Sequence, residues 1–353
     1  MNGVERDHVL TRLLDAPGLS GYESACQQVW IDSVADYADS VETDSYENAV
    51  ARVDGDGSLT VAVTSHIDAV GYVVRRIDER GYLHAGGVGG VDAVCARGQR
   101  VTVHSSDEEV AGVVVHTPSE MYDWTVTQLT DPSEVRIDIG AEDRADARNC
   151  VTVGDPVTVA AEPTELTNGR IAARCHDNRT GAYIVAEVIR RVARTTPDTT
   201  VLGVSTVQEE IGRRGASMIS AEYDVDAVLV VDAGVATDSP KASPSVGNRI
   251  TLGSGPIVAR GGGTHHRLVA AARSVADATD RSIQFQATPD GTGTDADAFA
   301  TEHGPVPTLH LGFPTRNLHT TVEVVDAGDV EATIGLLTDL LSRIGDAGTI
   351  DRL

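Results

Sequence analysis

Thr206 to Gly215 reads T-V-Q-E-E-I-G-R-R-G, and the rest of the chain is organised around it. The run that feeds it, Thr199 to Val207, is T-T-V-L-G-V-S-T-V, β-branched and apolar as a buried strand is. Two adjacent carboxylates, Glu209 and Glu210, stand where that strand ends. On a regular strand neighbouring side chains point to opposite faces, so the pair could not share one site there. Gly212 and Gly215 follow at once and permit a turn that brings both acids into one cleft. Side by side, the like charges repel. A metal cation offsets that repulsion, one carboxylate binding it while the other works as a base. A Glu-Glu pair is more often two solvated acids on a loop, so the surrounding chain has to decide.

Working outward, acids and histidines recur just behind other apolar runs. Leu59 to Thr64 delivers S-H-I-D-A-V-G (65–71), and Ala227 to Val231 ends at Asp232. In open α/β sheets the ligand site lies beyond the carboxyl ends of the strands, so this recurrence points to one shared site. Further strands are predicted at Ala49–Val53, Arg249–Leu252, Ser282–Ala287 and Val306–Leu311. Helices are predicted over 4–38 with a break at Pro17-Gly18 and Gly21, then at Gly181–Arg194, His266–Thr279 and Asp326–Ile344. Between about 72 and 163 the texture changes to short β-like runs (Y-V-V-R-R-I, Q-R-V-T-V-H, V-A-G-V-V-V-H) separated by turns, with one short helix at Asp143–Asn149. That block reads as a β-rich insertion into a larger α/β domain. The division is therefore 1–71 and 164–353 as two pieces of one domain, with 72–163 inserted.

The length of 353 residues exceeds a usual single core, and 41% hydrophobic residues supply ample burial. No tract is long enough to span a bilayer and no signal peptide is evident, so a cytoplasmic location is expected. Cys26, Cys95, Cys150 and Cys175 lack C-x-x-C spacing and read as reduced thiols. With 53 acidic against 28 basic residues the net charge is −25, and lysine occurs once, at Lys241. This balance argues against nucleic-acid and anionic-membrane partners. An acidic, nearly lysine-free surface resembles that of proteins from salt-accumulating halophiles.

Each remaining residue has an ordinary structural use when taken singly. His66 could be a satisfied histidine beside buried strands, with Asp68 accepting from its ring. Asp177, in C-H-D-N-R-T-G, could cap a helix, or bridge two cations with Arg179 orienting it. Asp232 could be a turn residue, and His319 a surface histidine in R-N-L-H-T-T-V-E. Together they give two histidines, two aspartates and a glutamate, plus a second glutamate beside the first. That set suits two closely spaced Zn²⁺ or similar ions. Gly261-Gly262-Gly263 reads as a loop, and His265 and His266 as a helix start.

The ordered motifs H-x-D, D-N-R-x-G, Q-E-E-x-G-x-x-G-A, D-A-G, G-T-D-A and P-T-R-x-x-H-T-x-x-E resemble those of the M42 dinuclear metallo-aminopeptidases, the glutamyl, deblocking or TET peptidase group. V-G-G-V-D-A (88–93), I-D-I-G-A (137–141) and V-G-D-P-V-T (153–158) extend the likeness over nearly the whole chain. The resemblance implies a zinc-peptidase-like α/β domain with a central mixed sheet flanked by helices, and a PDZ-like dimerisation domain as the insertion. It implies two divalent ions per subunit, zinc or cobalt. His66, Asp177 and Asp232 would hold one, and Asp177 as bridge, Glu210 and His319 the other. Glu209 would be the general base and Asp68 the partner of His66, with Thr294 and Asp295 shaping the site. Short peptides would be the substrates and a dimer or a dodecamer of dimers the assembly. One departure is Asn178, where the family usually has a second aspartate. Two rivals remain. A glycoside hydrolase would use the paired carboxylates but leave the histidines idle, and 4% aromatic residues offer little to stack on sugars. A non-catalytic scaffold on the same fold is the other.

Overall fold

The computed structural model describes residues 8–116, 135–195, 197–240, 249–302 and 304–344. Two helices, α1 (His8–Asp15) and α2 (Ser24–Val34), precede β1 (Ser40–Thr43), β2 (Ala49–Val53) and β3 (Thr60–His66). The β-rich segment follows as β4 (Gly71–Ile77), β5 (Leu83–Val88), α3 (Ala93–Ala96), β6 (Arg100–His104), β7 (Glu109–Val114), β8 (Val135–Asp138), α4 (Arg144–Ala147) and β9 (Pro156–Val159). Next come β10 (Thr164–Glu165), β11 (Arg170–Ala173), α5 (His176–Val192), β12 (Thr200–Thr206), α6 (Arg214–Glu222) and β13 (Ala227–Val235). The chain closes with β14 (Ile257–Gly261), α7 (His266–Ala278), β15 (Gln284–Thr288), α8 (Asp295–Thr301), β16 (Thr308–Thr315), β17 (Glu323–Asp326) and α9 (Ala327–Ile344).

An eight-stranded mixed sheet, ordered β1-β2-β12-β3-β13-β16-β14-β15, carries the larger unit. Its centre, β12-β3-β13-β16, is parallel throughout, which explains why those strands read as continuous apolar runs rather than alternating ones. Helices α1, α2, α5, α7 and α9 bury their apolar faces on one side, and α6 and α8 cover the other. Helix α5 lies against β3, β12 and β13. Gly203 admits it closely: a Cβ there would stand 2.5 Å from Ile189 Cγ1. The inserted segment is a closed six-stranded barrel, β4-β5-β8-β7-β6-β9, with a core of its own.

Three expectations change. The strand predicted at 249–252 lies further on, at Ile257–Gly261. Gly253 and Gly255 take positive φ, and the backbone of Thr251 pairs with the side chain of Gln284 instead of a strand. Helix α5 spans His176–Val192 rather than starting at Gly181, although the backbone at Asp177 and Asn178 is not helical; Asn178, Arg179 and Thr180 are buried despite their polarity. Strand β13 continues past Asp232 to Val235, paired in parallel register with β16 from Asp232↔Gly312 to Val235↔Thr315. Of the first predicted helix, residues 4–7 lie outside the described residues. Among the described residues no helix is long and apolar enough to cross a membrane.

Candidate metal centre

Strands β3 and β12 run in parallel register with His66 opposite Thr206, so their carboxyl ends open side by side. His66 is the last residue of β3, and Glu209 and Glu210 follow β12 directly. Asp232 comes from neighbouring β13, Asp177 from the first turn of α5, and His319 from the loop between β16 and β17. These segments, separated by up to some hundreds of residues, bring their side chains within one cluster.

Two groups form. His66, Asp177 and Asp232 each place a donor atom within 4.8 Å of the others, and so do Asp177, Glu210 and His319. Asp177 belongs to both, one oxygen to each: Oδ1 is 3.3 Å from His66 Nε2 and Oδ2 is 3.2 Å from His319 Nε2. Asp232 Oδ1 lies 3.4 Å from His66 Nε2, and Glu210 Oε2 lies 3.5 Å from His319 Nε2. Glu209 contributes no atom to either group. The donor set fits divalent cations on a direct observation: Asp177 Oδ1 and Glu210 Oε1 are buried and accept no hydrogen bond. A buried carboxylate oxygen with no donor is costly, and a cation satisfies it.

Asp68 does more than face the His66 ring. Its carboxylate accepts from the backbone N–H of Glu209 at 2.9 Å, that of Glu210 at 3.2 Å, and the hydroxyl of Ser20 at 2.6 Å. It thus fixes the turn that carries both glutamates. His66 Nδ1 also stands 3.2 Å from the carbonyl oxygen of Asp68, which acts as acceptor and places the ring hydrogen on Nδ1. Nε2 is left facing Asp177 and Asp232.

The electrostatics follow from crowding. Burial, with the charges of Asp232, Asp295 and Asp68 against that of His66, pushes Glu209 up to about 9. Burial and Asp177 hold Glu210 well above the usual carboxylate range. Burial opposes the charge on His66, but Asp232, Asp177 and Asp68 outweigh it and raise its pKa well above the usual value. Burial likewise opposes ionisation of Asp177, which His319 and His66 nonetheless hold low. In this cluster, carboxylates outnumber the groups that could neutralise them.

The other expected residues take places around these groups. Arg179 does not orient Asp177: it is fully buried and donates to the carbonyls of Leu13, Ala16 and Gly18 at the end of α1. Asn178 Nδ2 donates to the carbonyl of Val231 at 2.9 Å, tying α5 to the strand of Asp232. Thr294 caps α8, and buried Asp295 accepts from the Thr206 hydroxyl at 2.6 Å behind the cluster. His265 occupies the cap position of α7 without a side-chain capping bond, and His266 is exposed. Ser20 stands in none of the motifs above, and Glu323 enters only as the last residue of P-T-R-x-x-H-T-x-x-E, with no role attached to it. Neither type of residue advertises a backbone-holding role: Ser20 lies 48 residues from Asp68, and Glu323 joins Asp177, 146 residues away, to His319, four residues before it.

The barrel forms a wall of the site. Gly89 and Gly90, between β5 and α3, pack against Glu210 and His319, and a Cβ on Gly90 would stand 2.7 Å from His319 Nδ1. The backbone N–H of Asp92 donates to the His319 carbonyl at 3.1 Å.

A family model described as M42 glutamyl aminopeptidase matches residues 47–336. A curated lysyl aminopeptidase of Pyrococcus furiosus is 30% identical over 343 residues, covering 95% of this chain and 96% of that protein. The crystal structure of a TET aminopeptidase from the marine sediment archaeon Thaumarchaeota archaeon SCGC AB-539-E09 superposes with a TM-score of 0.92 at 28% identity, over 97% of each chain. The Pyrococcus horikoshii TET1 peptidase, described as able to assemble into a tetrahedron or a large octahedral shell, has a TM-score of 0.84 at 27% identity, over 94% of this chain and 98% of its own.

Proposed function

The chain belongs to the M42 glutamyl aminopeptidase family and is a peptide hydrolase; from that premise we propose that it removes N-terminal residues from short peptides, using two divalent cations and Glu209 as general base. The observation that carries this reading is the division of Asp177, one oxygen toward each histidine, with Glu209 outside both donor groups. His66, Asp177 and Asp232 would hold one ion, and Asp177, Glu210 and His319 the other, zinc or cobalt in each case. The chemistry such ions supply is Lewis acidity toward the scissile carbonyl and a lowered pKa for water.

The chain's own residues do the rest. Asp68 holds the Glu209–Glu210 turn by its two backbone N–H groups, so the two carboxylates take separate positions. Positive charge beside Glu209 favours its carboxylate form, reversing the rise that burial and neighbouring acids impose. Glu209 then takes a proton from the attacking water at its carboxylate oxygen and hands it to the leaving amine. The substrate's free α-amino group finds acids around it, which supports exopeptidase selectivity. The barrel is proposed as the PDZ-like dimerisation domain of a homo-oligomer, a dimer or a dodecamer, in the cytoplasm. A glycoside hydrolase built on the paired acids gives no use to the Nε2 atoms of His66 and His319.

The test is removal of divalent ions by EDTA, followed by assay on a panel of aminoacyl chromogenic substrates and their N-acetylated forms. Hydrolysis of the free-amine substrates should vanish with EDTA and return on adding zinc or cobalt. Equal cleavage of the acetylated forms, or activity that persists in EDTA, overturns the reading.

A further inference from the structure

Glu323 opens β17, and β17 pairs antiparallel with β11, Ala173 opposite Glu323. Strand β11 runs into the turn that starts α5 and presents Asp177. On the other side of Glu323, the loop carrying His319 joins β16 to β17, closed at its base by the reciprocal backbone bonds of Arg316 and Val324. Glu323 therefore sits where the two segments bearing Asp177 and His319 converge.

Its side chain is buried, and both carboxylate oxygens are engaged by backbone. Oε2 accepts from the N–H of Asp177 and Oε1 from the N–H of His319, each at 2.9 Å. Glu323 belongs to neither donor group. His319 has φ of +60°, a left-handed conformation that a non-glycine residue holds only when its surroundings impose it. The bond from its N–H to Glu323 is one such constraint. The arrangement matches that of Asp68, whose carboxylate spans the N–H groups of Glu209 and Glu210. Each of these carboxylates holds two functional residues by their main chain, and between them they fix Asp177, His319, Glu209 and Glu210.

We propose that Glu323 is a positioning residue, whose carboxylate sets the spacing of Asp177 and His319 and so preforms the cation position those two share with Glu210. The inference rests on the cation pair of the proposed function. A side chain with two acceptor oxygens is required because two N–H donors need two acceptors. Glutamine keeps the size but presents an NH₂ group to one of them, and alanine removes both acceptors.

The test is a cobalt(II) titration of the EDTA-stripped, full-length protein, read by calorimetry and by the visible spectrum of bound cobalt, for wild type, Glu323→Gln and Glu323→Ala. Thermal melting of each metal-free protein is measured alongside. Wild type should bind two ions. In Glu323→Gln one of the two affinities should fall by about 10- to 100-fold, as loss of an outer-shell partner does, and the cobalt spectrum of that site should change. The other affinity should stay within about threefold, below that same outer-shell range. Activity should then recover at high cobalt, with the activation midpoint shifted rather than the maximal rate lost. A wild-type two-site isotherm in Glu323→Gln overturns the proposal, even if metal-free melting has dropped, because that pattern marks a role in the fold alone. Should Glu323→Ala fail to fold, the glutamine variant decides. If wild type itself binds no cobalt, the cation pair fails, an outcome separate from a variant that titrates like wild type.

Discussion

Asp177 turns one oxygen to His66 and the other to His319, while Glu210 joins only the second group and Glu209 neither. The adjacent glutamates should therefore separate on substitution. Glu209→Gln keeps size and hydrogen bonding but cannot take a proton, so turnover should fall by about 10²- to 10⁴-fold with both ions retained. Glu210→Gln should weaken one ion, and excess metal should restore part of the activity. Metal content by plasma mass spectrometry beside turnover checks both, and a Glu209→Gln protein that loses an ion means the roles are swapped. The same cluster gives the metal-free protein a pH dependence. Glu209 has a folded pKa of about 9 and Asp295 of about 7, both raised first by burial. Between the usual carboxylate range and those values the folded chain binds protons that the unfolded chain has released. Stability must then fall as pH rises through that window. Raised His66 acts in the same direction, above its usual pKa. The melting temperature of EDTA-stripped protein should drop from pH 6 to pH 9, and bound zinc or cobalt should remove most of the drop. An equal melting temperature at both values, without metal, rules this out.

Between elements, the barrel and the larger unit meet at His319, which β5 and α3 confront through the Gly89-Gly90 turn and the N–H of Asp92. Gly90→Ala puts a methyl 2.7 Å from His319 Nδ1, closer than real contacts allow, so the ring or the loop must shift, and we expect the ring to do so. The expected outcome is an apparent affinity for the second ion lowered by about tenfold or more, as when a ligand's support is lost, with little change in metal-free melting. Cobalt titration checks it, and unchanged affinity would show that the loop yields instead of the histidine. What was legible in the sequence follows from where each signal lives. The central parallel strands stand out because burial on both faces favours apolar and β-branched residues. His66, Glu210 and Asp232 stand out because they follow strand ends, which topology alone makes significant, whereas Asp177 and His319 stand out only through the ordered motifs. Helices α6 and α8 leave no such signal: R-G-A-S-M-I-S-A-E and D-A-D-A-F-A-T are short and carry few large apolar side chains. The packing of Gly90 on His319 depends on residues far apart in the chain, and no local pattern encodes it. Asn178 shows the same limit. Its departure from the family pattern reads as a change of charge at the site, whereas its amide faces the Val231 carbonyl, a contact invisible until α5 is laid on β13.

For the whole molecule, the net charge of −25 is the dominant long-range term. Self-repulsion of that size opposes compaction and opposes bringing copies of the chain together, while apolar burial and interface contacts favour both. Salt decides the balance through the distance over which the charges feel one another, roughly 30 Å at 10 mM ionic strength and roughly 3 Å at 1 M. At the lower strength charges on separate subunits repel across an interface, and at the higher only direct neighbours do. The site adds to this, since its carboxylates carry negative charge that bound cations would offset. Association should be more sensitive than folding, because a chain that holds its own core can still be repelled by its copies. Stepwise dialysis from molar KCl, followed by light scattering and aminopeptidase assay, should therefore show the oligomer dissociating first. Activity should fall with it or after it, and melting temperature last. Divalent cation held constant throughout separates screening from loss of metal. A particle of one chain's mass, 37.0 kDa, in molar KCl defeats the oligomer itself. An intact oligomer with full activity at about 10 mM ionic strength, where screening is weakest, defeats the salt requirement. In that case the acidic surface is balanced by contacts that the charge count does not reveal.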